Sequence, residues 1–335
     1  MSQVLPNTMT EIQITAPGGP EVLQPHSVPT PQPGPGELLI RVEAAGVNRP
    51  DVLQRAGQYP IPPGASPIPG LEVAGTVAAL GVGVDAFSIG DAVCALTNGG
   101  GYAQYCVVPA GQVLAIPKRL NWQQAAAIPE TFFTVWANLF DMGRASKSDT
   151  VLIHGGTSGI GTTALMLCHE RGIRAFATAG STEKCNAIRE LGGEPINYRE
   201  ASFADSVLAQ TDGRGVDVIL DIMGGSYFDE NLRALARDGR LLLIGFLGGA
   251  VAQQVSLTTI AHKRAHITGS TMRTRTAQEK AAIAASLRTQ VWPALAEGRC
   301  VPIIHAVYPL ERAADAHRAM EGGRHIGKIV LEVSH

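Results

Sequence analysis

The stretch Thr150-Val-Leu-Ile-His-Gly-Gly-Thr-Ser-Gly-Ile-Gly161 decides the fold. An apolar run, Val151–Ile153, stops at a cluster of glycines, and a helical pattern begins inside that cluster. A strand that turns through glycines into a helix N-terminus is a phosphate-binding device, because the free N–H groups and the positive end of the helix dipole face the anion. Aligned on Gly156, the stretch reads G-x-S-x-x-G, with Ser158 in place of the middle glycine of the usual dinucleotide fingerprint. Gly156 is expected to make the tight turn, Gly161 to let the helix approach the strand, and the Ser158 hydroxyl to donate to a phosphate oxygen. Gly156, Thr157, Ser158, Gly159, Ile160 and Gly161 are therefore cofactor-binding candidates. The same pattern also suits an ordinary glycine turn before a core helix, so its context has to decide.

Downstream, strand-like runs alternate with helical ones. Val151–Ile153 precedes a helix near Gly161–Arg171, Ala175–Thr178 one near Thr182–Leu191, and Val216–Asp221 one near Phe228–Ala236. Arg240–Ile244 and His266–Gly269 close the series. This spacing predicts an α/β, doubly wound parallel sheet covered on both faces. Upstream the texture differs. Fourteen of the 21 prolines fall within the first 70 residues, which with the glycines there excludes long helices. Short strands over Glu37–Ala45, Leu71–Leu80, Asp91–Leu96 and Tyr102–Val108 predict a mostly antiparallel β domain, with residues 1–10 as a tail. Helices are expected over Asn121–Ile128, capped by Asn121, and over Thr131–Met142, closed by Gly143. Further on, helices over Arg275–Leu295 and Leu310–Met320 lead to a strand, Lys328–Val333. The expected division is a β domain of residues 1–132 and 273–335 around a nucleotide-binding domain of residues 133–272.

At 335 residues the chain is long for one core, which agrees with two domains. A formal charge of −2 points to no nucleic-acid or anionic-membrane partner, and no apolar run approaches a membrane span. Five scattered cysteines suit a reducing compartment, so a cytoplasmic protein is expected.

Several motifs coincide with this order of parts: Ala45-Gly-Val-Asn48-Arg-Pro-Asp51, Pro69-Gly-Leu-Glu72-Val-Ala-Gly75, Gly90-Asp-Ala-Val93 and Gly327-Lys-Ile-Val-Leu331. With the glycine turn, the chain resembles the medium-chain dehydrogenase/reductase superfamily, whose members join a GroES-like catalytic domain to a Rossmann domain. More narrowly it resembles the zinc-free quinone oxidoreductase branch that includes ζ-crystallin. Gly57-Gln58-Tyr59 followed by Pro62-Pro-Gly-Ala65 is similar to its tumour-suppressor-inducible type. Zinc members carry a Cys and a His-Glu pair on these loops. Here the cysteine position reads Asn48 and the Gly-His-Glu pattern reads Gly70-Leu71-Glu72, so no metal is expected. Cys94 and Cys106 read as buried, inert thiols, and His154 as a packed or turn histidine.

The second strand of the series ends Ala177-Thr-Ala-Gly180-Ser181, without the carboxylate that holds the ribose of NAD. Small residues there leave room for a 2′-phosphate. The resemblance implies that Lys184 binds it, with Tyr198 on the adenosine side and Arg199 as a second cation. NADPH is the expected cofactor, although Glu183 speaks for NADH if its loop shifts. Thr134 is expected near the nicotinamide; alternatively it bonds only a helix carbonyl. Gly245, Phe246 and Leu247, and Gly269, Ser270 and Thr271, follow the fifth and sixth strands and are expected to face the cofactor, with a core role as the alternative for Phe246. The resemblance further implies that Asn48 orients a substrate carbonyl and that Tyr59 donates to the developing oxyanion or covers the ring, in a cleft between the domains. Asp51 and Gln54 are expected to brace them.

These readings leave three functions open. The chain is an NADPH:quinone oxidoreductase, an NADPH-dependent alkenal or enone reductase, or a cofactor-binding protein with a structural or regulatory role. A homodimer is expected, with Val251–Leu257 as a candidate edge strand that joins two sheets.

Overall fold

The computed structural model describes residues 5–335. The strands, in chain order, are β1 Thr8–Ile14, β2 Leu23–Pro29, β3 Glu37–Val47, β4 Glu72–Leu80, β5 Ala92–Leu96, β6 Tyr105–Pro109, β7 Val113–Ala115, β8 Thr150–Ile153, β9 Arg174–Ala179, β10 Glu194–Asn197, β11 Val216–Asp221, β12 Leu235–Leu243, β13 His266–Gly269, β14 Ile304–Pro309 and β15 Lys328–Glu332. The chain divides into two compact units, one running up to Phe133 and again from Arg273 to His335, the other Thr134–Met272.

The second unit is built on a six-stranded sheet in the order β10-β9-β8-β11-β12-β13, parallel throughout. The first strand of the series lies centrally and the order reverses beside it, which is the doubly wound arrangement. β8, β9 and β11 are almost wholly buried, as strands covered on both faces must be, and their near-continuous apolar runs follow from that. Helices Gly159–Glu170 and Thr182–Glu190 start on Ser158 and Ser181, whose side-chain oxygens accept from the N–H of Gly161 and Lys184.

The first unit holds a sheet in the order β14-β15-β3-β4-β5-β7, with β6 also paired to β3, and a separate hairpin of β1 and β2. It is antiparallel except between β14 and β15. Its core is aliphatic, from Leu38, Ile40, Val42 and Val47 on β3 to Ile329 and Leu331 on β15.

Three sequence expectations need correction here. Residues 8–10 belong to β1 and not to a tail. β2, with which β1 pairs, contains Pro25 and Pro29; it pairs only with β1, so the missing N–H groups cost the ladder little. The helix expected over Arg275–Leu295 starts after a Thr276–Glu279 capping box and stops at Gln290. A second short helix, Trp292–Ala296, follows, because Pro293 cannot donate to the preceding turn. Val251–Leu257 forms no strand: residues 251–256 are irregular, Ser256 caps a helix that begins at Leu257, and β13 ends the sheet.

Candidate active site

In the nucleotide unit the glycine turn leads from β8 into the helix Gly159–Glu170. The left-handed residue is Gly155, with φ of 69°, and not Gly156 as its place in the fingerprint suggested. Gly156 is needed for a different reason: a Cβ on it would lie 2.7 Å from the Ala177 Cβ and 2.8 Å from Ile188 Cδ1. A Cβ on Gly161 would meet the Gly155 carbonyl oxygen at 2.3 Å, so the close approach of helix and strand is as expected. The Ser158 oxygen accepts from the Gly161 N–H at 3.0 Å, which leaves its O–H free to donate. Thr157 is buried, and Gly159 and Ile160 form the first helical turn.

The end of β9 carries no carboxylate. Tyr198 lies across Gly180, so near that a Cβ there would be 2.4 Å from the phenol oxygen and 3.3 Å from Arg199 Nε. Lys184 is half-buried just beyond; burial lowers its pKa and the Arg199 charge adds to the effect, while Glu183 opposes it. Two cations repelling each other beside a side-chain-free strand end form a site that a dianion stabilises. A cavity of about 350 Å³ adjoins, lined by Tyr198, Arg199, Ser202 and Tyr227 among others.

Thr134 has a buried hydroxyl with no hydrogen-bond partner, so the alternative of a bond to a helix carbonyl is not realised. Phe246 and Leu247 are about half exposed, which removes the core alternative for Phe246. Gly245 packs against Ile222 and Gly269 against Leu243. The Ser270 hydroxyl donates to Asn138 Oδ1 at 2.7 Å, and Thr271 follows it in the loop. His154 is a packing residue: fully buried, 2.7 Å from Asn231 Oδ1 through Nε2, with its ring edge-on to Phe203 and Tyr227.

In the other unit a buried polar chain surrounds Asn48. Lys328 Nζ lies 2.6 Å from Glu72 Oε1 and 2.6 Å from Asn48 Oδ1, and donates to the Val47 carbonyl at 3.2 Å. Asn48 Nδ2 in turn donates to Glu72 Oε1 at 2.9 Å. Glu72 reaches this position because Gly46 has no side chain; a Cβ there would be 2.0 Å from Oε1. Both ends of the Asn48 amide, expected to orient a substrate carbonyl, hydrogen-bond to Lys328 and Glu72 in this structure. Lys328 was quoted only as part of a terminal motif, and nothing local in the sequence shows that it closes this network.

Asp51 accepts from the N–H groups of Asn48 and Gly70 and from the Tyr102 hydroxyl. Burial nevertheless raises its pKa to about 6. Gln54 Nε2 holds the Pro67 carbonyl at 2.8 Å. Asp51 thus holds the Asn48 and Gly70 backbone, and Gln54 the Pro67 carbonyl.

Tyr59 is partly buried, and burial together with the Glu130 carboxylate pushes its pKa up to about 12, so it is a neutral O–H donor. The Arg273 guanidinium stands over its ring, 5.2 Å from the centroid. Arg273 is 8% exposed, and none of its three side-chain nitrogens has a hydrogen-bond partner. A cation–π contact contributes up to about 2 kcal/mol, short of the several kcal/mol that a buried, unpaired ion costs. Arg273 was not singled out from the sequence, where it is one of two arginines in Arg273-Thr-Arg275. Glu130 lies nearby, its backbone N–H on Glu72 Oε2 at 2.8 Å and its own pKa raised to about 8 by burial and by Glu72. Among the described residues no three His, Cys, Asp or Glu side chains gather as metal ligands do. Cys94 and Cys106 are buried, and burial raises both thiol pKa values.

A doubly wound nucleotide unit with this turn, placed in the chain between two pieces of an antiparallel β unit, defines a medium-chain dehydrogenase/reductase. The family description "Alcohol dehydrogenase GroES-like domain" matches residues 34–118, and "Zinc-binding dehydrogenase" matches residues 191–331. The quinone oxidoreductase of Rattus norvegicus is 32% identical over 96% of this chain and 97% of its own length. A mycobacterial protein solved in complex with NADPH is 33% identical, covers 97% of this chain and 100% of its own, and superposes with a TM-score of 0.85. An NAD-dependent alcohol dehydrogenase is 31% identical over 97% and 100% of the two chains, with a TM-score of 0.86. The chain belongs to the quinone oxidoreductase family of this superfamily.

Proposed function

We propose that this protein is an NADPH-dependent quinone oxidoreductase that needs no zinc. The observation that carries the cofactor choice is the end of β9, where Lys184 and Arg199 stand beside Gly180 with no acidic cap. Similarity alone does not choose, since relatives of equal likeness are described with NADPH and with NAD. The N–H groups of the glycine turn and the Ser158 hydroxyl hold the pyrophosphate, Lys184 and Arg199 the 2′-phosphate, Tyr198 the adenosine, and the orphaned Thr134 hydroxyl the nicotinamide side. The loops Gly245–Leu247 and Gly269–Thr271 complete the cofactor's surroundings. When bound, the nicotinamide supplies a hydride.

The substrate side needs little more than orientation and a hydrogen bond. A quinone is already a strong acceptor, and its reduced oxygens are stabilised as a conjugated phenolate. Tyr59, held neutral, donates its hydroxyl to that oxygen. Asn48, Glu72 and Lys328 position the surrounding loops. The Lys328 ammonium spends its donors on Asn48, Glu72 and Val47, which supports a site that works without a metal cation.

Titration with NADPH and NADH by cofactor fluorescence, then a panel of ortho- and para-quinones, tests the reading; absence of quinone-dependent NADPH oxidation sinks it. Lys184→Ala is expected to weaken NADPH about tenfold or more, the loss of one charge-assisted phosphate contact, and to leave NADH unchanged. The neutral Tyr59 hydroxyl also suits an enone reductase, where an enolate oxygen demands more of a donor. Tyr59→Phe separates the two, with a modest loss of kcat for quinones and a large loss for enones.

Among the described residues no helix is long and apolar enough to cross a membrane. Val251, Val255 and Leu257 are exposed. We infer that a second copy of the chain covers them in a homodimer, which light scattering on the eluted peak checks.

A further inference from the structure

The geometry points to Arg273 as the positive charge that receives the oxyanion formed on the acceptor. This rests on the reading of the protein as a quinone reductase and names the group that reading lacks. Three observations converge. All three side-chain nitrogens of Arg273 are buried and unpartnered, so a whole set of donors is unspent. The guanidinium stands against Tyr59, the side chain proposed to face the acceptor oxygen. Its backbone is fixed, because Lys280 Nζ lies 2.6 Å from Asn98 Oδ1 and 3.4 Å from the Arg273 carbonyl. The nearby acids do not use these donors: Asp51 already accepts from Asn48, Gly70 and Tyr102, and Glu130 acts on Arg273 only through space.

The step balances without a further reagent. The quinone takes up a hydride, two electrons and one hydrogen nucleus, from the reduced nicotinamide, and one oxygen becomes negatively charged. Arg273 pairs with that oxygen through N–H donors, keeps its own protons, and water supplies the proton that completes the hydroquinone. A fixed donor set aimed at charge that appears only during the reaction lowers the barrier more than it tightens substrate binding.

The test uses p-nitrophenol, whose phenolate is coloured, and its uncharged methyl ether p-nitroanisole, on the full chain with oxidised cofactor present. Bound p-nitrophenol is expected to ionise more readily than in water, by about one pH unit, a tenfold shift in its equilibrium. Arg273→Gln should abolish that shift and weaken the phenolate about tenfold while leaving p-nitroanisole unchanged; Arg273→Lys should keep part of the shift. With quinones, Arg273→Gln should lower kcat and leave KM nearly unchanged. The inference is overturned if wild type does not favour the bound phenolate, if Arg273→Gln keeps the shift, or if it weakens both ligands equally, which would make Arg273 a packing residue. If Arg273→Gln does not fold, Arg273→Lys decides: a shift equal to that of wild type, or a parallel loss of both ligands, sinks the assignment. The two readings fail separately. Quinone turnover without an Arg273-dependent phenolate shift removes this assignment alone, and the shift without quinone turnover removes the parent function.

Discussion

Lys328 shows what a single residue contributes in this fold. Its side chain is 4% exposed and its partner Glu72 fully buried, so neither charge has water to fall back on. Lys328→Met leaves the Glu72 carboxylate buried without its cation, and the loss in unfolding free energy by denaturant titration should be about 3–5 kcal/mol. Lys328→Met combined with Glu72→Gln should recover much of it, because the remaining amide no longer carries an unpaired charge. A single variant within 1 kcal/mol of wild type would show that the pair behaves like a surface ion pair. This network was illegible in the sequence for a plain reason: Lys328 and Asn48 are 280 residues apart and meet only because β15 pairs with β3. The position of Lys184 near the end of β9 was legible because it lies four residues beyond Gly180 on the first turn of the following helix, a local relation.

At the scale of elements, legibility follows how far a segment's form depends on its own residues. The glycine turn declared itself because its glycines cluster between one strand and one helix, and Gly161 is required by contacts within that strand–turn–helix. β10 and the helix Phe203–Gln210 gave no clear signal: they are short, and Glu194-Pro-Ile-Asn197 is a strand only as the outermost neighbour of β9. The Gly155–Gly156 exchange has the same origin, since the motif marks where glycine is needed but not which one takes positive φ. Gly161→Ala tests the turn as a unit. The added methyl would sit 2.3 Å from a backbone oxygen and 2.6 Å from the Gly156 Cα, so helix and strand must separate. Overpacking of this kind costs about 1–3 kcal/mol. The pyrophosphate N–H groups move with the helix, so NADPH affinity should fall by at least as large a factor as stability. An unchanged affinity by fluorescence titration would place the cofactor elsewhere.

At the scale of the whole molecule, buried titratable groups outside the nucleotide unit contribute to how stability depends on pH. Arg55 donates to His317 Nδ1, the His317 Nε2–H donates to Tyr102, and Tyr102 donates to Asp51. Burial and the Arg55 charge lower the His317 pKa from 6.5 to about 3, so the folded protein binds fewer protons there and stability rises with pH across that window. Asp51, raised from 3.8 to about 6, works in the opposite sense and partly cancels it. Glu130, raised from 4.5 to about 8, keeps a proton that the unfolded chain has lost, so its contribution falls as pH rises through that range. Of these three groups Glu130 alone titrates above pH 6.5, and one proton gives a slope of at most about 1.4 kcal/mol per pH unit. The unfolding free energy of wild type should therefore decline between pH 6.5 and 8, the interval bounded by the ordinary His317 value and the raised Glu130 value. Glu130→Gln, which carries no proton to lose, should flatten that decline, remove the same opposing contribution down to pH 4.5, and leave the limb below pH 4.5, where His317 and Asp51 titrate, as it was. Denaturant titrations of both proteins across the range check this, and parallel declines would mean that Glu130 is ionised in the folded protein at neutral pH.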